Sequence, residues 1–323
     1  MKFLLSLAAI VGFSAAGRGA ITIEFDYSLD AGSQSPFFPV ASPARQSLEA
    51  AGVAIGTYLN DSLASITPSG GNTWAAQFFN PTSGAISSVD NPTIGANTIR
   101  IYVGARNLAS GVLGEGGPGG YSWSGSGLFG AGVGFRGQDA TGATLDSSST
   151  DFGPWGGSVA FNNSGVSWFY ESTGLHSVAV PEASVDFYSV ALHEVGHVLG
   201  FGTSLSWDHY VTTGPNRFNG PVSTSLNGGA VPLDAGLGHW VNGTTSTLPG
   251  LAILREAAMD PSIANGIRKP LTVLDWAGLD DVGWEVASSQ LAMVPEPAEI
   301  AVAAGFALMG FGLWSRRFKV NRC

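Results

Sequence analysis

The sequence predicts an α+β fold, and three observations carry that prediction. Strand-like runs fill the first half of the chain, at residues 21–27, 97–104, 155–161 and 166–170. Two stretches, 44–63 and 186–200, repeat apolar residues every three or four positions, as amphipathic helices do. From 202 to 246 the periodicity stops and Gly, Ser, Thr and Asn dominate, the composition of a long ordered loop. A mixed sheet with two long helices, followed by an irregular segment, is the expected architecture.

In order along the chain, Met1-Lys2, an apolar run over 3–13 and small residues up to Ala20 have the layout of a secretory signal peptide, assigned to residues 1–20. The alternating run at 21–27 is the first strand, and the polar, Pro-bearing stretch 30–43 is a turn region. In 44–63, Leu48, Ala51, Ile55 and Leu59 share one helix face. Residues 97–104 form the next strand. Residues 111–142 are dense in glycine and read as loop. They include Gly125-Ser126-Gly127-Leu128-Phe129-Gly130, which has the spacing of a dinucleotide-binding turn without an apolar strand before it or a helical pattern after it. A phosphate-binding P-loop is excluded, because no lysine occurs between Lys2 and Lys269. The runs 155–161 and 166–170, joined by Asn162-Asn163-Ser164-Gly165, read as a β-hairpin. Further on, 251–259 reads as helical and 272–284 as a closing helix bearing Val273, Leu274, Trp276 and Leu279.

The helix at 186–200 carries the chemistry. It contains His193-Glu194-Val195-Gly196-His197, and residues four apart share a helix face, so both imidazoles can aim at one ion. Two neutral imidazoles suit Zn²⁺, and Glu194, beside the first of them, is placed to act as general base on water polarised by the ion. Val185, Tyr188, Leu192, Val195 and Leu199 supply the apolar face. Asp186 falls in the first turn and Gly200 where a helix C-terminal glycine belongs. A catalytic zinc takes three protein ligands. No glutamate lies between Glu194 and Glu256, which leaves Asp208, Asp234, His209 and His239 as candidates for the third; His176, before the helix, reads as an ordinary exposed histidine.

The pattern His193-Glu194-x-x-His197-x-x-Gly200 resembles the metzincin metallopeptidases. Most of these place the third ligand three residues after the glycine, where this chain has Thr203, which is no zinc ligand. The downstream order, His239-Trp240, then Met259, then a final helix ending at Val282-Gly283-Trp284, is similar to the leishmanolysin-like branch, which inserts tens of residues before the third histidine. That resemblance spans about residues 187–284. It implies His239 as third ligand, with His209 as its competitor, and Met259 as a methionine turn beneath the metal. It also implies a twisted mixed sheet with two long helices above an irregular C-terminal subdomain, the zinc cleft lying between them. In such folds an edge strand before the zinc helix binds extended substrate by strand addition, and the expected hairpin at 155–170 suits that role.

Composition narrows the partners. The lone cysteine, Cys323, allows no intrachain disulfide and excludes a cysteine-nucleophile hydrolase. Between residues 21 and 293 stand eight Lys and Arg against 22 Asp and Glu, an acidic balance that argues against nucleic acid as a partner. At the C-terminus, Val294-Pro295-Glu296-Pro297 precedes an apolar stretch over 300–314 and then Arg316, Arg317 and Lys319. This looks like the PEP-CTERM sorting signal of Gram-negative bacteria. It implies a transmembrane segment within 294–323, held with its basic end on the cytoplasmic side and removed during export by an exosortase-like sorting enzyme of the membrane.

The resulting expectation is an exported zinc endopeptidase, extracellular or displayed at the cell surface, whose catalytic domain spans 21–293 and whose substrate is protein or peptide. Two other readings stand beside it. One is a catalytically inactive surface or matrix protein on a metallopeptidase scaffold, against which the intact Glu194 argues. The other is a zinc hydrolase of a non-peptide substrate.

Overall fold

A computed structural model describes residues 20–134, 136, 151–171 and 178–293. Residues 1–19 of the expected signal peptide, His176 and the expected sorting segment 294–323 lie outside the described residues. Among the described residues no helix is long and apolar enough to cross a membrane.

The molecule is a mixed α+β structure built on a four-stranded sheet. Strands β1 (Thr22–Asp26), β4 (Thr98–Arg106) and β7 (Gly156–Asn162) run parallel, and β5 (Gly114–Pro118) closes one edge antiparallel to β7, in the order β1-β4-β7-β5. β4 and β7 are buried along nearly their whole length, because the sheet is covered on both faces. The period-two alternation of β4 divides its side chains. Ile99, Ile101 and Val103 join the main core with helices α2 (Pro43–Gly56) and α4 (Phe187–Val198), and Tyr102 turns to the other side. There it stacks on Phe78 of a three-stranded antiparallel sheet made of β2 (Thr73–Phe79), β3 (Ile86–Asp90) and β6 (Gly120–Ser124). A short helix α1 (Ser28–Ala31) follows β1.

Helix α2 is shorter than its apolar pattern suggested. It ends at Gly56, and the amide of Ile21 donates to the carbonyls of Gly56 and Leu59. Leu59 and Leu63 are buried beyond the helix, Leu59 through a bridge to Val286, so tertiary contacts continue the apolar periodicity without a helix.

The described part of the glycine-dense stretch is not all loop. It holds β5, β6 and helix α3 (Gly127–Gly134), which begins inside the Gly125–Gly130 motif, with Gly130 packed on Trp123 and Gly134 on Tyr121. The expected 155–170 hairpin does not form either. β5 occupies the free side of β7, and β8 (Trp168–Phe169) pairs in parallel with β9 (Val185–Asp186), leading into α4.

Below α4 the chain is irregular, as its composition predicted, although short elements punctuate it. These are α5 (Leu205–His209), α6 (Pro221–Asn227) and a ladder of Val211–Thr212, Arg217–Phe218 and Val231–Pro232. Residues 251–259 are not helical, because Leu254–Glu256 pairs with Thr245–Thr247 and the chain then turns through Ala257–Asp260. The closing helix α7 (Val273–Asp281) is capped by Thr272 in a reciprocal capping box with Asp275.

Candidate metal centre

The centre starts from α4. Asp186 is its N-cap, accepting from the amide and hydroxyl of Ser189, and Arg268 holds the same carboxylate through two N–H groups, each at 3.0 Å. The apolar face, including Leu192, Val195 and Leu199, is buried, and Gly200 at φ +98° turns the chain away. His193 and His197 therefore stand one turn apart on the remaining face of a fixed helix.

His239 comes from the loop below. Asp234 shapes that loop by accepting from the His239 amide at 3.3 Å, and its carboxylate lies 3.5 Å from the ring Nδ1. The next residue, Trp240, is an anchor. Its ring packs among Phe201, Trp207 and Phe218, and its Nε1 donates to Asp275 at 3.1 Å.

The three Nε2 atoms converge, at 3.0 Å for His193–His197, 3.0 Å for His197–His239 and 3.2 Å for His193–His239. What they can hold follows from the other ring nitrogens. Nδ1 of His193 lies 2.7 Å from the carbonyl of Ala258, and Nδ1 of His197 lies 2.8 Å from that of Phe201. A carbonyl only accepts, so both Nδ1 atoms carry the proton and both Nε2 atoms present lone pairs. Asp234 sets the same tautomer on His239. Three lone pairs within 3.2 Å of one another repel unless a cation sits between them. A proton is a poor candidate for that cation. Burial pushes His193 down to about 4 against the help of the Ala258 carbonyl, and pushes His197 well below its ordinary value, with its two histidine neighbours adding to the effect. Burial also lowers His239, opposed by Asp234. Three neutral imidazoles, each with its far nitrogen facing an oxygen, form a donor set that could hold a metal ion. Among the described residues this is the group of His, Cys, Asp and Glu whose donor atoms are close enough to hold a metal ion.

The rival ligands are elsewhere. His209 is exposed on α5 with its ring against Tyr210, and Asp208 beside it is exposed too. Asp234 stands behind His239 and outside the histidine group. The Thr203 hydroxyl donates to the carbonyl of His197.

Met259 is buried beneath α4. A Cβ added at Gly196 would lie 2.8 Å from its sulfur, so the glycine inside the histidine motif is what lets the methionine close in. The turn around Met259 is held by Asp275, a residue the sequence did not single out. Its carboxylate accepts from the amides of Ala258, Met259 and Thr272, from the Thr272 hydroxyl and from Trp240. It thereby ties the Met259 turn, the Ala258 carbonyl behind His193 and the Trp240 anchor behind His239 to the start of α7. Asp275→Ala should strip five donors of their acceptor and destabilise the protein by on the order of 3 kcal/mol or more. Urea unfolding measures this, and a loss below ~1 kcal/mol would show that the hub is not needed.

Glu194 lies across the cleft from the histidine loop, packed under β5. A Cβ at Gly114 would sit 2.6 Å from its carboxylate, and one at Gly116 would sit 2.3 Å from its backbone carbonyl. β5 is rich in glycine because it crosses α4 at a distance no side chain tolerates. Burial raises the Glu194 carboxyl to about 8, with Glu115 adding to the rise and the Gly116 N–H opposing it. A cleft of about 570 Å³ runs between the β5 side, Gly111 to Gly116, and a lower wall that includes Thr203, Gly238, His239, Ala258 and Asp260 to Ile263. The strand that borders it is β5, in place of the expected 155–170 hairpin.

These groups impose opposite pH dependences on the metal-free protein. The unfolded chain takes up protons on its histidines near pH 6.5, whereas folded His193 stays neutral down to about 4, so stability should fall as the pH drops through that window. Folded Glu194 keeps its proton up to about 8, whereas the unfolded chain ionises near 4.5, so its contribution falls as the pH rises between those values. In chelator-treated protein the His193 imidazole, followed by NMR, should therefore stay unprotonated down to about pH 4. A titration midpoint near the ordinary value of about 6.5 would contradict its neutral, buried state.

No model of a known family, no curated protein and no solved structure matches the chain.

Proposed function

We propose that the protein is a zinc-dependent endopeptidase of metzincin type, in the manner of the leishmanolysin-like branch, with His193, His197 and His239 as metal ligands and Glu194 as catalytic base. The single observation behind the reading is the convergence of three unprotonated Nε2 atoms at 3.0–3.2 Å beside a buried carboxylate in an open cleft. Zinc held there would supply Lewis acidity towards a carbonyl oxygen and towards water. Glu194 takes the proton of the attacking water and returns it to the leaving amine, a task suited to a carboxyl whose environment raises it towards neutrality. The terminal strand β5, bonded to β7 along one side, offers its other side to an extended peptide by strand addition. Met259 packs under the centre and coordinates nothing.

In this reading residues 21–293 are the catalytic domain. The chain is exported from a Gram-negative bacterium and released or displayed after an exosortase-like enzyme removes the 294–323 segment. Casein and gelatin zymography, with chelator and with zinc added back, separates the readings. Chelator-sensitive clearing restored by zinc supports the endopeptidase. No clearing from zinc-loaded protein would favour the inactive scaffold or a zinc hydrolase of another substrate.

A further inference from the structure

Beside the three histidines, the cleft ends on a buried ion cluster that the proposed chemistry does not use. The backbone N–H of Lys269 donates to Ser189 Oγ at the start of α4, and its side chain then crosses to the opposite wall. There the ammonium, only 4% exposed, donates to Asp260 at 2.5 Å, to the carbonyl of Ser262, and lies 3.2 Å from Glu256. Its three N–H groups are all used. Asp260, fully buried, also accepts from the amides of Gly243 and Ser262. Between this floor and the histidines, Val190, Ala258, Pro261 and Ile263 line the sides.

We propose that Lys269 determines which substrate side chain the cleft accepts next to the scissile bond, by masking the Asp260 carboxylate and leaving a subsite that takes uncharged, apolar side chains. The inference rests on the peptide-cleaving reading of the cleft. A charged side chain entering this subsite would lose its water and find every opposite charge on the floor already engaged, so it is rejected at a cost that apolar side chains do not meet. The position of Lys269 is not adjustable, since its neighbour Arg268 is clamped to the Asp186 N-cap of α4. Removing the ammonium should therefore do more than loosen the wall. Asp260 would keep its two backbone N–H bonds and, with Glu256 beside it, remain without a counter-ion at the end of an apolar pocket, the arrangement that selects a basic side chain.

The test is a cleavage profile on a mixed peptide library, read by mass spectrometry as the residue flanking each cut. It is paired with calorimetric binding of uncleaved leucine- and arginine-bearing peptides to zinc-loaded protein carrying Glu194→Gln. Wild type should favour apolar residues. Lys269→Met should shift the ratio of basic to apolar residues by about tenfold or more in both readouts. Lys269→Met with Asp260→Asn should return the preference to apolar. Should Lys269→Met fail to fold, Lys269→Gln, which keeps an N–H for the Ser262 carbonyl, carries the same expectation. A uniform loss across all peptides, with the profile unchanged, would make Lys269 merely structural and overturn the inference while leaving the peptidase reading intact. Wild-type protein that neither cleaves nor binds peptides would instead remove the reading beneath it, and the inference with it.

Discussion

Glu194→Gln is expected to abolish peptide hydrolysis while zinc stays bound. The carboxylate is not among the three converging donors, so the ion should keep its affinity. Glutamine matches glutamate in size and fits the same space under Gly114, so the fold should not change. The amide cannot take a proton from water at any working pH. General base catalysis contributes about 10²–10⁴-fold, and the fall in kcat should reach at least that range with KM nearly unchanged. The variant should also lose the stability cost that a buried, proton-retaining carboxyl imposes as the pH rises towards 8. Steady-state kinetics with metal content measured on the same sample decides the matter. Turnover near wild type would remove Glu194 from the mechanism.

The second large effect is expected at His239. Replacing it by alanine leaves two of the three converging imidazoles, both on one helix, and removes the one that the lower wall contributes. Loss of a residue that merely supports a ligand costs about 10–100-fold in metal affinity, so loss of the ligand itself should exceed 100-fold. His209→Ala is the matched control. That ring is exposed on α5, and its removal should change neither affinity nor activity. Competition titration with a chromogenic zinc chelator reads both variants. Equal losses, or a loss at His209 alone, would mean that the convergence of His239 with the helix histidines is not what holds the ion.

The helix of the centre was legible because its information is local. The spacing of His193 and His197, the apolar face from Val185 to Leu199 and the terminal Gly200 all lie within 16 residues, and the 3.6-residue period translates them directly into geometry. His239 was reachable only through its order relative to Trp240 and Met259, since nothing local says which distant loop returns to a helix. Asp275 and Lys269 were not legible. Each acts on groups contributed by separate parts of the chain, such as Trp240 and Ala258 for the first and Ser189 and Asp260 for the second, and no periodicity records such partnerships.

β5 shows the opposite failure. Strand signals come from β-branched and aromatic side chains, and this strand carries glycines because α4 passes directly beneath it. The composition that disguised it as loop is the composition its place beside Glu194 demands. The 155–170 hairpin misled for a related reason. Its two β-prone runs are real, but β5 and β9 are their partners, and pairing is decided by elements from outside the window.

If three histidines, two from one helix and one from the loop below, hold a single zinc ion, crystals of the purified protein should reveal it in an anomalous difference map collected on the high-energy side of the zinc absorption edge. One strong peak per chain is expected, about 2 Å from Nε2 of His193, His197 and His239. A map without a peak at that point from zinc-supplemented protein, or with the peak centred on other side chains such as His209, would contradict it.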